Sequence, residues 1–192
     1  MDTHESGISD EELAIACSSG NDAALAVLID RYMPSVYNYA RRMCGNDTEA
    51  QDIAQDALVK VWINIKKFNN ERASFKTWLW RIVRNTTFDS LRKHAHAHTP
   101  FSNFDTEEGN TIIDTASDEL PMQDELFAQA EDAEMLEKAL QKLSPPARDM
   151  LLLRYKESMT FEEIGATLGE PTNTVKSRHR RALESLRKLI QD

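Results

Sequence analysis

The chain has 192 residues and a formal net charge of −9. That length suits one domain or two small ones, and a hydrophobic fraction of 41% is enough for real cores. No apolar run approaches the roughly 18 residues of a bilayer span, and the acidic start, Met1 to Glu12, is no secretory signal, so a cytoplasmic protein without membrane insertion is expected.

Almost every segment reads as helix. Ser9 with Glu12 three residues on is a capping box. Asn21 or Asp22 caps a second helix with Leu25, Leu28, Ile29 and Tyr32 on one stripe. A third is predicted from Pro34 to Cys44, ended by Gly45. Thr48 with Gln51 is read as the cap of a fourth, whose inward set is Ile53, Ala57, Leu58, Val61, Trp62 and Ile65. After a polar loop, Lys67 to Ala73, Ser74 caps a fifth with Phe75, Trp78, Leu79, Ile82, Val83 and Thr86 inward. Thr99 to Asp132 carries ten acidic side chains, no Lys or Arg, and Pro100, Gly109 and Pro121. Such a stretch buries too little to fix its backbone and reads as a linker. Ser144-Pro145-Pro146 opens a helix to about Tyr155, and Thr160 with Glu163 forms another capping box. The predicted fold is all-α: two small helical domains, 1–98 and 133–192, joined by a flexible acidic linker, 99–132.

Charge is distributed in blocks. Residues 57–98 hold nine basic and two acidic side chains, and residues 1–56 hold three and eleven. Local fields of this kind matter more than the total. Cys17 and Cys44 stand in no paired motif and are expected as reduced, buried thiols.

Thr160–Leu168, Gly169-Glu170-Pro171 and Thr172–Ile190 have the form of a helix-turn-helix. At about 100° per residue, Val175, Ala182, Leu183, Leu186 and Ile190 share one side of the second helix. Asn173, Lys176, Ser177 and Arg180 lie opposite, flanked by Arg181. Those groups suit bases and phosphates, and an ordinary solvated basic face is the competing reading. In the first domain, Lys66, Lys67, Arg72, Lys76, Arg81, Arg84, Arg92 and Lys93 interleave with Phe68, Phe75, Trp78, Trp80 and Phe88. Cations with aromatics suit a single strand, while Phe75 and Trp78 also lie on the apolar stripe. His94, His96 and His98 alternate, but residues two apart on a helix do not share a face and no Cys completes a set. No metal site or cofactor is expected. No Gly-rich phosphate loop, nucleophile elbow or zinc-protease motif is present, so the chain is not read as an enzyme.

The blocks AQDIAQDALVKVWINIKKF, SFKTWLWRIVRNTTFDSLRK and LSPPARDMLLLRYKESMTFEEIGATLGEPTNTVKSRHRRALESLRK resemble bacterial sigma factors of the extracytoplasmic-function type, which contain sigma regions two and four. The resemblance runs from about Ser9 to Leu189. It implies a non-catalytic protein that binds core RNA polymerase, through its β and β′ subunits, and directs it to promoter DNA. Region two would open the minus-ten element and region four would read the minus-thirty-five element. Asp52, Gln55 and Asp56 match the helix that docks on the β′ clamp. The loop Phe68, Asn69, Asn70, Glu71 and Arg72 matches a pocket for a flipped-out base, and Asn85, Asp89 and Arg92 match the helix following the promoter strand. Arg154, Thr160 and Phe161 match positions touching the minus-thirty-five backbone or edge. Thr174, Lys176, Ser177, Arg180 and Arg181 match the recognition helix, and Asn173 stands where the family commonly has Gly. The resemblance also implies an anti-sigma partner. The acidic linker is similar to a connector that threads polymerase channels, with a solubilising spacer as the plainer reading. A conventional repressor or activator, and an adaptor that never meets DNA, are the rival functions.

Overall fold

The computed structural model describes residues 8–98 and 133–191, without the side chains of 95–98 and 133–134. The linker and the side chains of His96 and His98 lie outside the described residues. Within them there are eight α-helices and no strand: α1 (Asp10–Ser18), α2 (Asp22–Cys44), α3 (Asp47–Asn64), a 3₁₀ turn (Ile65–Lys67), α4 (Phe75–His98), α5 (Ala133–Lys142), α6 (Pro145–Tyr155), α7 (Phe161–Leu168) and α8 (Thr172–Gln191).

The Ser9 capping box forms: Ser9 Oγ accepts from the Glu12 N–H at 3.2 Å, and the Glu12 carboxylate accepts from the Ser9 N–H at 2.8 Å. The Ser9 hydroxyl, donating to the Glu12 carboxylate at 2.7 Å, and then the Ser9 N–H hold the Glu12 carboxyl below its ordinary pKa. Asp10 then anchors α1 to α2 through the Arg31 guanidinium and the Tyr32 hydroxyl.

The predicted break at Pro34 is absent, and α2 runs unbroken through it. An interior proline costs about 3 kcal/mol through its missing N–H and ring clash. Leu28 and Tyr32 before it, and Val36, Tyr39 and Met43 after it, form one buried stripe. Each such side chain gains about 1.5–3 kcal/mol on full burial, so continuity of the stripe wins. Gly45 ends α2 in the left-handed region, φ 76°, with its N–H on the Arg41 carbonyl at 2.8 Å. The chain leaves that turn already extended at Asn46, so Asn46 rather than Thr48 caps α3, accepting from the Glu49 N–H at 3.0 Å. Ser74 caps α4 as predicted, its hydroxyl accepting from the Thr77 N–H at 3.2 Å.

Ala54, Ala57, Leu58 and Val61 of α3, with Ile65 of the 3₁₀ turn, fill the buried face. Trp62 falls outside it and is 57% exposed, against the expectation that it points inward. Cys17 is buried, but Cys44 is only half-buried, its thiol against the Asn46 carbonyl at 3.3 Å. Both are free, and burial raises each thiol pKa.

The two halves share one core. The buried set of the first half, including Tyr39, Phe75, Leu79, Trp80 and Val83, continues into Met150, Leu152, Leu153, Met159, Ile164 and Val175 of the second. A smaller cluster, Leu140, Leu143, Leu151, Ala182 and Leu186, closes the far side. The junction is polar as well as apolar. Arg148 is 6% exposed. Its guanidinium donates to the carbonyls of Leu140, Gln141 and Leu143 at the end of α5, and to those of Arg42 and Met43 at the end of α2. It therefore satisfies two helix C-termini whose carbonyls have no partner within their own helices. Burial lowers the Arg148 pKa, and these carbonyls supply the negative ends of dipoles that keep it charged.

Candidate polymerase and promoter surfaces

Asp52, Gln55 and Asp56 project from α3 into solvent. Beside them on the same helix stand Val59, Trp62 and Ile63, 48%, 57% and 66% exposed. Large apolar groups that stay in water next to carboxylates form a surface suited to a protein partner. Between α3 and α4 lies a groove of about 370 Å³, whose lining includes Asp52, Asp56, Lys60, Thr86, Asp89 and Arg92. Lys60 bridges it, its ammonium donating to the Thr86 hydroxyl at 3.1 Å. The groove thus unites two residues predicted to touch polymerase with two predicted to touch the promoter strand. Asp89 and Arg92 pair one turn apart, and Asn85 is exposed beside them.

The loop before α4 divides into an anchor and a rim. Phe68 is half-buried, with ring centroids 5.6 Å from both Phe75 and Trp78. Its ring holds the loop rather than standing free to stack. Asn69, Asn70, Glu71 and Arg72 are exposed. Asn69 shapes their turn, its side-chain oxygen accepting from the Glu71 N–H at 2.8 Å and its carbonyl from the Arg72 N–H at 3.1 Å. Of the interleaved aromatics, Phe75 and Trp80 are fully buried and belong to the core. Asn85 lies roughly 15 Å along α4 from its start, at 1.5 Å per residue.

In the second half, Thr160 caps α7 in a complete capping box with Glu163. Gly169 ends that helix at φ 73°. Gly165 is also required, because a Cβ there would meet the Glu170 carbonyl oxygen at 2.8 Å. The chain can therefore turn sharply into α8. Val175, Ala182 and Leu186 are buried as predicted, while Leu183 and Ile190 are half-buried. Asn173, Arg180 and Arg181 are exposed on the outer side, and Thr174, Lys176 and Ser177 are half-exposed.

Arg154 and Phe161 serve the interior more than the surface. Arg154 donates to the Met159 carbonyl at 2.9 Å, and its guanidinium lies over the Phe161 ring at 4.7 Å. Phe161 in turn meets the edge of His179, centroids 5.1 Å apart. His179 is 4% exposed, with Nε2 and the Tyr155 hydroxyl 3.1 Å apart. Burial, helped by the Arg154 charge, pulls its pKa down to about 4. The spacing Val175–His179–Ala182–Leu186 holds the signal for this inward histidine, which side-chain polarity masks.

The sequence reading also missed Asp149. Its carboxylate is 1% exposed and takes Tyr39 Oη at 2.7 Å and Arg84 Nε at 2.6 Å. Burial raises the Asp149 pKa, opposed by Arg84 and the Tyr39 hydroxyl. Burial alone would lower the pKa of Arg84, but the Asp149 charge overrides it. The one advance sign was a charged pair, Arg148-Asp149, heading the run Met-Leu-Leu-Leu.

Residues 28–97 match Sigma-70 region 2, and residues 139–188 match Sigma-70, region 4. The chain is 32% identical over 173 residues, 90% of its length and 92% of the relative's, to the ECF RNA polymerase sigma factor SigW of Bacillus subtilis (strain 168). The chain belongs to the extracytoplasmic-function sigma factors. It is also 28% identical over 167 residues to the ECF RNA polymerase sigma factor RpoE of Cereibacter sphaeroides, covering 87% of this chain and 86% of that one. A solved structure of CnrH in complex with the cytosolic domain of CnrY superimposes with a TM-score of 0.68 at 26% identity, over 95% and 97% of the two chains. As a sigma factor, this protein binds core RNA polymerase and directs promoter-specific initiation, with recognition of the minus-ten and minus-thirty-five elements. The family is not a catalytic one. No helix among the described residues is long and apolar enough to cross a membrane.

Proposed function

We propose a division of labour among the surfaces described above. Residues 1–98 form the region-two unit and 133–192 the region-four unit, with 99–132 as connector. The outer face of α3, Asp52, Gln55 and Asp56, docks on the β′ clamp of polymerase, and Trp62 and Ile63 extend that contact. Asn69, Asn70 and Arg72 on the loop rim receive a flipped minus-ten base, with Phe68 as the anchor that fixes the loop. Asn85, Asp89 and Arg92 follow the displaced strand. On α8, Asn173, Thr174, Lys176, Ser177, Arg180 and Arg181 meet the minus-thirty-five element, and Thr160 lies at its edge. Arg154 and Phe161 brace α8 from beneath. The protein acts in the cytoplasm, carries no cofactor, and leaves all chemistry to polymerase.

The observation that carries this reading is the outward basic face of α8 on a helix-turn-helix whose inner face is closed. An anti-sigma partner is part of the reading, since CnrH, alike in fold across nearly its whole chain, is held by the cytosolic domain of another protein. The test is transcription from a promoter-bearing template by core polymerase with and without the chain. Promoter-specific RNA is expected. Operator binding without any effect on polymerase would favour a conventional regulator, and neither activity would favour an adaptor.

A further inference from the structure

Three carboxylates open α1, and each has a different task. Asp10 holds the Arg31 guanidinium and the Tyr32 hydroxyl of α2. Glu12 closes the capping box with Ser9. Glu11 reaches a different helix: its carboxylate accepts from the backbone N–H of Phe75, 64 residues away, at 3.1 Å. Phe75 is the first residue of α4, and the N–H groups of a first helical turn have no partner within their own helix. The Ser74 hydroxyl takes one of them, that of Thr77. Glu11 takes another from a separate helix, with its carboxylate at the positive end of the α4 dipole.

Phe75 is the hub on which the promoter loop closes. Its ring is fully buried and meets those of Tyr32 and Phe68 edge-on, with centroids 5.6 Å apart in both pairs. Tyr32 is the ring whose hydroxyl Asp10 holds, and Phe68 is the anchor of the loop whose rim carries Asn69, Asn70 and Arg72. The first turn of α1 thus fixes Phe75 twice, at its backbone through Glu11 and at its ring through Asp10 and Tyr32. α1 also packs against the 3₁₀ turn before the loop and against α4 after it, so both ends of the loop 68–74 rest on the same helix. Groups that recognise a ligand must be held to within about 0.5 Å by the residues behind them. Exposed rim residues have little packing of their own, so that support falls to the loop ends. α1 lies outside the residues 28–97 that match Sigma-70 region 2.

We propose that Glu11 is a positioning residue for minus-ten base recognition: by capping α4 at Phe75 it sets the loop 68–74 and so the aim of Asn69, Asn70 and Arg72. The inference rests on the reading of that rim as the pocket for a flipped base. Without the Glu11 carboxylate the Phe75 N–H loses its partner, the first turn of α4 frays, and the Phe75 and Phe68 rings shift with it. Leu79, Trp80 and Val83 hold the rest of α4 in the core. The loss therefore falls on recognition more than on stability.

The test uses the full chain assembled with core polymerase. Affinity is measured for a fluorescent single-stranded oligonucleotide bearing the minus-ten element, and for strands that each lack one base of it. The largest loss marks the flipped position, and that ratio reports the pocket apart from phosphate contacts, which all the strands share. Glu11→Ala should lower the ratio about fivefold, the scale of one lost hydrogen bond. Glu11→Gln keeps an acceptor of the same reach and should hold the ratio within about twofold. Glu11→Asp keeps a carboxylate at the start of α1, which favours that helix, but is one methylene short and should lose as much as Glu11→Ala. Should Glu11→Ala fail to fold, Glu11→Asp and Glu11→Gln decide. A ratio unchanged in Glu11→Ala and Glu11→Asp overturns the proposal, whatever happens to thermal stability. So does a loss in Glu11→Gln as large as that in Glu11→Asp. An unaltered holoenzyme that binds every strand equally removes the base-pocket reading and this inference with it. One that discriminates, with Glu11→Ala and Glu11→Asp discriminating equally well, removes only this inference.

Discussion

On α8, Arg180 and Arg181 stand in solvent, whereas on α4 the side chains of Arg81 and Arg84 are bound by the other half of the same chain. In sequence the two helices look alike, each a basic helix with an apolar stripe. The difference comes from what lies across from each. On the outer face of α8, Arg180 and Arg181 are exposed. On α4, α6 brings a carboxylate to Arg84, which is half-buried, and α7 brings a helix-end carbonyl to Arg81, which stays exposed. Basic residues in a nucleic-acid-binding chain are therefore not equally available, and availability is set by tertiary packing rather than by charge.

The sharpest way to break this contrast is to compare two arginines of the second half. Arg148→Ala removes a buried guanidinium from five backbone carbonyls at two helix ends. The Leu140 and Arg42 carbonyls keep the Leu143 N–H and the Gln141 amide. Stripping the donor from the carbonyls of Met43, Gln141 and Leu143 should cost about 3–5 kcal/mol, read as a lower urea midpoint, with parting of the halves. Arg180→Ala, at an exposed site, should change stability by less than about 0.5 kcal/mol. Equal losses in the two variants would show that burial does not divide these arginines as argued.

Next in size is the effect on DNA. Lys176→Ala and Arg180→Ala should weaken promoter binding by about 1–3 kcal/mol each and leave affinity for core polymerase intact. Trp62→Ala on α3 should do the reverse, lowering polymerase affinity by about 2 kcal/mol while leaving thermal stability unaltered, since that ring already faces water. Competition binding to core polymerase and promoter gel shifts separate the two. A Trp62 variant that melts early but binds polymerase normally would return that residue to the core.

What the sequence disclosed divides along the same line. The capping boxes at Ser9 and Thr160, the glycine ends at Gly45 and Gly169, and the inner stripe of α8 were legible because the groups that settle them lie within a few residues. The unbroken α2 was not, since a locally unfavourable Pro34 is carried by burial on both sides of it. Asp149 was not, since its partners Tyr39 and Arg84 lie 110 and 65 residues away. Among the predicted site residues, Asn69, Asn70, Arg72, Asn173, Arg180 and Arg181 stand exposed, while Phe68, Arg154 and Phe161 have internal partners that no spacing rule could supply.

The smallest effect expected comes from two groups whose titration has opposite sign. His179, among Tyr155, Phe161 and Arg154, has its pKa lowered to about 4, against about 6.5 when unfolded. Its contribution is complete above pH 6.5 and is lost as pH falls toward 4, because the unfolded chain then binds the extra proton. Glu157 faces Lys76, Arg42 and Lys156, but burial outweighs their attraction and raises its pKa to about 7. Its contribution is complete below the ordinary carboxylate range and is lost as pH rises through 7. Between about pH 4.5 and 6.5 the two slopes oppose each other, and the native protein should show little net dependence from this pair. Replacing His179 by Gln leaves the Glu157 slope, so stability should fall by about 1 kcal/mol from pH 5 to pH 7.5. Replacing Glu157 by Gln leaves the histidine slope, so stability should rise by a similar amount over the same interval. Urea melts at the two pH values read both signs, and parallel slopes in the two variants would mean that at least one of these groups is solvated in the folded chain.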